Sequence, residues 1–275
     1  PEKRKTKQLA TIHAVDLFGL RKEKFEILEN SSVSKLNWKT LPQTTDVWKK
    51  VGEGEDVYKR GFSVTTLFPI NVVGYQTHRD GFAVSENKEI LELRLADFSN
   101  PSIENSTLIE KYKLNIKGWN ISAARDESFT KDMSESIHLT AYRPFDNRYT
   151  ILDKAICDRP RTEIINNIVN RSNVCALFSR QQATPGFRHI FLTNLPPNDC
   201  VMSSLSREAN QVAPLYLYLP DGTQQPNLNP QLWIQLTEQA GKPTKPEDVL
   251  DYVYAYLHSP TYRETYKEFL KTDFP

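Results

Sequence analysis

The sequence predicts an α+β fold: a central mixed β-sheet, a helical insertion near residues 86 to 131 and a C-terminal helical bundle. Three observations point there. Segments of strand-like composition crowd the stretch from 136 to 219, apolar residues recur at helical spacing before and after it, and prolines and a few glycines punctuate the joins. With 275 residues and 39% hydrophobic content, the chain has apolar material for one large or two modest cores.

Taken in order, residues 9 to 19 read as a strand closed by a turn at Gly19, and Leu20 to Asn30 as a charged helix carrying Phe25 and Leu28. This part reads as an edge or connector. β-Branched and aromatic residues gather from Phe62 to Thr77, punctuated by Pro69 and Gly74, which predicts a strand pair or one bent strand. Glu86 to Phe98 turns helical, with Ile90, Leu91, Leu93, Leu95 and Phe98 as its apolar stripe, and Pro101 breaks the pattern before a short helix from Leu108 to Tyr112. Strands are expected at 136–142, 147–152, 173–179, 187–193 and 213–219. Between them, Ile164, Ile165 and Ile168 give Thr162 to Asn170 one apolar helical face. After Pro220, a turn at Asp221-Gly222 opens a polar linker through Pro230. Pro246 suits the first position of a helix whose Val249, Tyr252, Val253 and Tyr256 follow helical spacing, and Ser259-Pro260 starts a last helix with Tyr262, Tyr266 and Phe269. The tyrosine stripe is expected in the core. These joins divide the chain into a connector over 1–57, a main domain over 58–220 and a helical subdomain over 221–275.

Composition narrows the function classes. No run approaches the roughly 20 apolar residues that span a bilayer, and the basic start at Lys3, Arg4, Lys5 and Lys7 leads into no signal-like segment, so a cytoplasmic protein without membrane partners is expected. Cys157, Cys175 and Cys200 are odd in number and widely spaced, which fits reduced thiols. His13, His78, His138, His189 and His258 lack metal-ligand spacing.

The arginines are the main functional signal. Seven of the fifteen fall between Arg143 and Arg188, against one of the twenty lysines. A guanidinium offers planar, two-pronged recognition of phosphates or guanine edges that an ammonium does not. Arg143, Arg148, Arg159, Arg161, Arg171, Arg180 and Arg188 alternate with Tyr142, Phe145, Tyr149, Phe178 and Phe187, a pattern suited to a nucleic-acid surface. The competing reading is an internal ion-pair network with Asp146, Asp153, Asp158 and Glu163. Residues 138 to 190 hold eight bases against four acids in a chain of net charge +1, so charge is segregated along the sequence.

Catalytic signatures are sparse. Gly52-Glu53-Gly54-Glu55-Asp56 lacks a third glycine and sets three carboxylates where a phosphate would sit. Asn194-Leu195-Pro196-Pro197-Asn198 falls short of the motif that holds a flipped adenine, because it is interrupted and ends without a stacking ring. Asp16-Leu17-Phe18-Gly19 has no glycine-rich loop before it, as an S-adenosylmethionine site needs. Asp80 with Glu86 and Lys88 has the ingredients of a magnesium nuclease, although the segment reads as a helix start. No Ser-His-Asp or Cys-His arrangement follows from spacing.

Read together, several segments carry a resemblance. Tyr142-Arg143-Pro144-Phe145-Asp146 with Arg148-Tyr149, Asp158-Arg159-Pro160-Arg161, Ser179-Arg180-Gln181 and Phe187-Arg188-His189 come first. Asp199-Cys200 with Ser203-Ser204, Pro214 to Tyr218 and Tyr252 to Arg263 follow, and Gly61-Phe62-Ser63, Phe68-Pro69 and Arg79-Asp80 precede. From about residue 58 onward the chain resembles the C-terminal specificity region of type ISP and related single-polypeptide restriction-modification enzymes. Residues 9 to 30 are similar to the segment joining that region to its methyltransferase.

The resemblance implies a target-recognition domain over 58–220 that binds double-stranded DNA. It implies an adenine methyltransferase domain on the same or an associated polypeptide, often with nuclease and helicase domains before it. No cofactor is expected in this chain; S-adenosylmethionine, and magnesium where a nuclease is attached, belong to the catalytic domains. Enzymes of the family read different sequences, so its shared arginines, Arg143, Arg148, Arg159, Arg161, Arg180 and Arg188, are cast as phosphate clamps or structural pairs. Base readers are sought in less typical loops, where Gln181, Gln182, Arg207 and Asn210 have suitable side chains. Two alternatives remain: a magnesium-dependent nuclease using Asp80, Glu86 and Lys88, and a protein-interaction scaffold whose arginines are paired internally.

Overall fold

A computed structural model describes residues 11–17, 19–40, 54–180, 190–203, 208–267 and 269–270. The chain separates into two compact units, Pro1–Glu53 and Gly54–Pro275.

In the first unit, β1 (His13–Ala14) pairs antiparallel with β2 (Lys39–Thr40), and the Thr40 hydroxyl lies 3.1 Å from His13 Nδ1. Between them runs α1 (Arg21–Asn30), where sequence periodicity places a helix. It buries no residue, and Phe25 and Leu28 are about half exposed. Its first turn is closed by the Leu20 amide, which donates to Glu23 Oε2 at 2.6 Å.

The second unit opens with α2 (Glu55–Lys59) and α3 (Val64–Leu67). The strand pair or bent strand expected over Phe62 to Thr77 is therefore interrupted by a helical turn at Val64–Leu67. Ser63 caps α3 by accepting from the Thr66 amide at 3.0 Å, and this local bond overrides the β-propensity of Val64, Thr65 and Thr66. Only β3 (Val72–Val73) is strand. Next come α4 (Asp80–Ala83), β4 (Val84–Ser85), and the helical insertion α5 (Lys88–Phe98), α6 (Asn105–Tyr112) and α7 (Ile121–Thr130). Leu91, Leu95 and Phe98 of the expected stripe are buried, while Leu93 is 69% exposed because it falls on the opposite face. The buried Arg125 ties the insertion together, donating to the carbonyls of Phe98 (2.9 Å) and Asn100 (2.6 Å) and to Asn105 Oδ1 (2.7 Å).

The hairpin β5 (Ile137–Arg143) and β6 (Asp146–Ile151) pairs with β4 to make a three-stranded antiparallel sheet backed by the insertion's core, with Phe82, Leu91, Phe98, Leu108 and Ile151 at its centre. After α8 (Thr162–Ile168) follow β7 (Cys175–Ser179), β8 (Ile190–Thr193) and β9 (Asn210–Pro214), and the second sheet has the order β3-β9-β7-β8. β7 is buried throughout because the sheet is covered on both faces. Cys175 and Leu177 face Ile164 and Ile168 of α8, while Ala176 and Phe178 face the C-terminal helices. The polar stretch after Pro220 is not simply a linker, since β10 (Tyr216–Tyr218) and β11 (Gln224–Pro226) form a hairpin around it.

The chain ends in α9 (Pro230–Ala240), α10 (Pro246–His258) and α11 (Pro260–Thr265), the last capped by the Ser259 hydroxyl, which accepts from the Tyr262 amide. Val249, Leu250, Val253 and Leu257 seat α10 on the sheet. The tyrosine stripe departs from expectation: Tyr262 is buried, but Tyr252 and Tyr256 are 50% and 45% exposed and border a cavity of about 170 Å³ with Tyr58, Phe62 and Tyr266. The apolar face of α10 is centred on Val249 and Val253, which leaves the tyrosines on its flank.

The α+β class holds, with a difference in the sheets. The expected mixed sheet is two antiparallel ladders, joined by isolated bridges of which Tyr75–Asn198 and Ala141–Pro197 run parallel. Tyr75 and Ala141 donate their amides to the carbonyls of Pro197 and Pro196, each at 3.0 Å. Gly74 is required beside this joint, since a Cβ there would lie 2.5 Å from the carbonyl of Asn198. No helix among the described residues is long and apolar enough to cross a membrane.

Candidate nucleic-acid interface

Several strand ends meet at one end of the four-stranded sheet. β7 stops at Ser179 opposite Asn210, where β9 begins; Phe178 pairs with Ile190, where β8 begins; and Val73, the end of β3, pairs with Gln211. The tip of the β5–β6 hairpin reaches the same end, where Phe145 meets Phe191 edge-on at a centroid distance of 6.3 Å. Tyr75 fixes the joint behind it. Its buried hydroxyl lies 2.8 Å from Thr140 Oγ1 and 3.0 Å from Thr150 Oγ1, and burial pushes the phenol far above its ordinary pKa.

Five of the six arginines of the candidate set lie among the described residues. Arg143 donates to the Tyr142 carbonyl at 2.6 Å and to Asn198 Oδ1 at 2.7 Å, and its guanidinium lies 3.8 Å from the Tyr142 ring centroid. Arg148 directs Nε to both oxygens of Asp146, at 3.0 and 2.9 Å, with Glu86 3.4 Å away. Arg159 is more open, its side chain 56% exposed, with Asp158 at 3.6 Å and Gln76 Oε1 accepting at 3.2 Å. Arg161 takes a left-handed φ of 59° as it starts α8, and its buried Nε has no partner among the described residues. Arg180 is exposed, one residue beyond β7, and Arg171 lies 4.8 Å over the Tyr218 ring away from this set. Arg188, Gln181, Gln182 and Arg207 lie outside the described residues.

Asn210 is described, and its setting corrects the expectation that it reads a base. It is fully buried, its Oδ1 accepting from the Val201 amide and its Nδ2 donating to the Asn198 carbonyl, both at 3.0 Å. With both ends of the amide engaged inside the fold, no edge is left for a base.

The family model for the Type ISP C-terminal specificity domain matches residues 66–275. The chain belongs to this family. Solved structures similar to the specificity domain include a DrdV–DNA complex studied by cryo-EM, at 20% identity and a TM-score of 0.61 over 92% of this chain and 27% of that one. A nuclease-deletion mutant of the Type ISP restriction-modification enzyme LlaGI in complex with a DNA substrate mimic matches at 19% and 0.58, over 93% and 24%. The ATP-dependent Type ISP restriction-modification enzyme LlaBIII bound to DNA matches at 20% and 0.61, over 96% and 18%. The chain thus spans only 18% to 27% of the length of these proteins. No curated protein matches it in sequence.

The specificity domain gives the three residues of the nuclease alternative separate partners. Asp80 accepts from the Tyr142 hydroxyl at 2.6 Å and from Thr77, Glu86 faces Arg148, and Lys88 lies 3.3 Å from Glu92 one turn along α5. Among the described residues no group of three or more acids, histidines or cysteines is arranged to hold a metal ion. The segment from Asn194 to Asn198 proves to be the strap between the sheets, and the buried Asn198 carries it, donating to the Tyr75 carbonyl at 3.1 Å.

Sequence reading missed the polar network beneath the arginines. Gln76 donates to Asp199 Oδ2 at 2.6 Å and holds Arg159 from its other end. The partners are 123 residues apart, so no local spacing announces them.

Proposed function

We propose that this chain is the DNA-reading module of a restriction-modification enzyme, holding duplex DNA while a separate domain transfers a methyl group to the exocyclic amine of adenine. Membership of the specificity-domain family carries this reading. The meeting of four strand ends beside Arg159 and Arg180 supports it, because these two arginines are exposed at that end of the sheet. S-Adenosylmethionine and the methyltransferase belong to the rest of a longer polypeptide or to an associated chain, in a bacterial cytoplasm. The internal partners of Arg143 and Arg148 favour structural duty for those two, so the phosphate-clamp role falls first on Arg159, Arg161, Arg180 and Arg188.

The test is duplex binding by the purified chain, measured by fluorescence anisotropy across a salt series. With roughly 4 phosphate contacts, the slope of log affinity against log salt is expected at about −3.6, from about −0.9 per contact. Affinity indifferent to salt would overturn the reading.

A further inference from the structure

Phe145 is 97% exposed, the barest large apolar residue among those described. It occupies the two-residue tip between Arg143 and Asp146, which face each other as the closing pair of the hairpin. Pro144 precedes it, and Phe145 itself takes a φ of 59°, the left-handed conformation that such a turn assigns to glycine or asparagine. The fold gains little packing from the ring, whose only described aromatic contact is the edge-on approach to Phe191.

Single exposed apolar residues are ordinary on protein surfaces. Phe145 differs in being strained and held in place. Tyr142 is tied to Asp80 at 2.6 Å, Arg143 to Asn198 at 2.7 Å, and Arg148 to Asp146 at 2.9 Å, so the turn stands on a braced base. Strain kept in a rigid, exposed position marks a residue presented to something outside the chain.

We propose that Phe145 is a wedge for duplex DNA, its ring pressing between neighbouring base pairs while the exposed arginines of the strand ends hold flanking phosphates. The chemistry next to the ring favours this occupant over a protein partner. An apolar protein surface closing on Phe145 would desolvate the internally paired Arg143 and Arg148 beside it, whereas the bases of a duplex offer the ring a flat apolar face while phosphates and water keep the surroundings of those pairs polar.

The inference rests on the duplex-binding reading above, and one experiment separates them. Wild type, Phe145→Ala, Phe145→Asn and Phe145→Trp would be titrated onto a set of duplexes carrying 2-aminopurine at scanned positions. Wild type is expected to raise 2-aminopurine emission as a base step opens. Phe145→Ala and Phe145→Asn should bind about tenfold or more weaker, with the salt slope unchanged because no ionic contact is lost. Phe145→Asn should also melt at a higher temperature than wild type, since asparagine tolerates the left-handed backbone. Phe145→Trp should keep the affinity and show quenched tryptophan emission on binding. Salt-dependent wild-type binding with no 2-aminopurine response, or with Ala and Asn variants of unchanged affinity, overturns the wedge and leaves the duplex reading standing. No wild-type binding overturns both.

Discussion

The Tyr142 hydroxyl donates to Asp80 Oδ2 at 2.6 Å, joining the β5–β6 hairpin to the start of α4 across 62 residues of sequence. The same Tyr142 ring lies 3.8 Å from the Arg143 guanidinium carbon and 5.2 Å from that of Arg148. One phenol thus orients a carboxylate at its tip and two guanidiniums at its ring, and it does so at the base of the exposed turn.

Burial first, and the bond to Asp80 second, push the Tyr142 phenol up to about 12. An unfolded tyrosine titrates at about 10. Because the folded value is raised, the stabilisation from Tyr142 is full below about pH 10 and is lost as pH rises toward 12. Tyr142→Phe should lower stability at pH 7 by about 1 kcal/mol, the ordinary net worth of one hydrogen bond. It should also flatten part of the alkaline loss. Urea midpoints measured from neutral to alkaline pH check both, and a variant whose alkaline loss matches wild type would show that Tyr142 does not titrate with the fold.

Asn210 invites a different measurement. Replacing it with alanine removes the acceptor for the Val201 amide and the donor to the Asn198 carbonyl in a site closed to water. Two groups left unpaired should cost about 2 kcal/mol or more, read as a lower urea midpoint. If Asn210 read a base instead, Asn210→Ala would leave the midpoint unchanged and weaken binding to one DNA sequence alone.

The fold is legible in the sequence wherever periodicity is long or strict. α5, α8 and α10 are visible because their apolar residues recur on one face, and β7 because its short apolar run is buried on both sides. Phe62 to Thr77 misleads because Ser63 caps a helical turn that composition alone reads as strand. The arginine set is visible as a skew in composition, yet its division is not. Whether Arg148 faces solvent or Asp146 depends on a hairpin register, and whether Asn210 is a reader or a strut depends on Asn198 lying beside it. Both are facts of tertiary packing, and the side chains themselves are equally suited to either task.

Replacing arginines with lysine, which keeps the charge and removes the fork, sorts the remaining roles. In a polypeptide that carries the methyltransferase, the pattern of methylated sites would report the sequence read. Arg159 is exposed and loosely held, so Arg159→Lys should weaken duplex binding modestly and by the same factor on every sequence, with Arg161→Lys behaving alike. Arg148 is committed to Asp146 and Glu86, so Arg148→Lys should leave affinity nearly unchanged and lower stability by at most about 1 kcal/mol, as expected for a partly exposed pair. Arg207→Lys and Gln181→Ala should instead cost about 1 to 3 kcal/mol on the preferred site alone and broaden the methylation pattern. A broadened pattern from Arg159→Lys or Arg161→Lys, with none from Arg207→Lys or Gln181→Ala, would exchange the roles of clamp and reader.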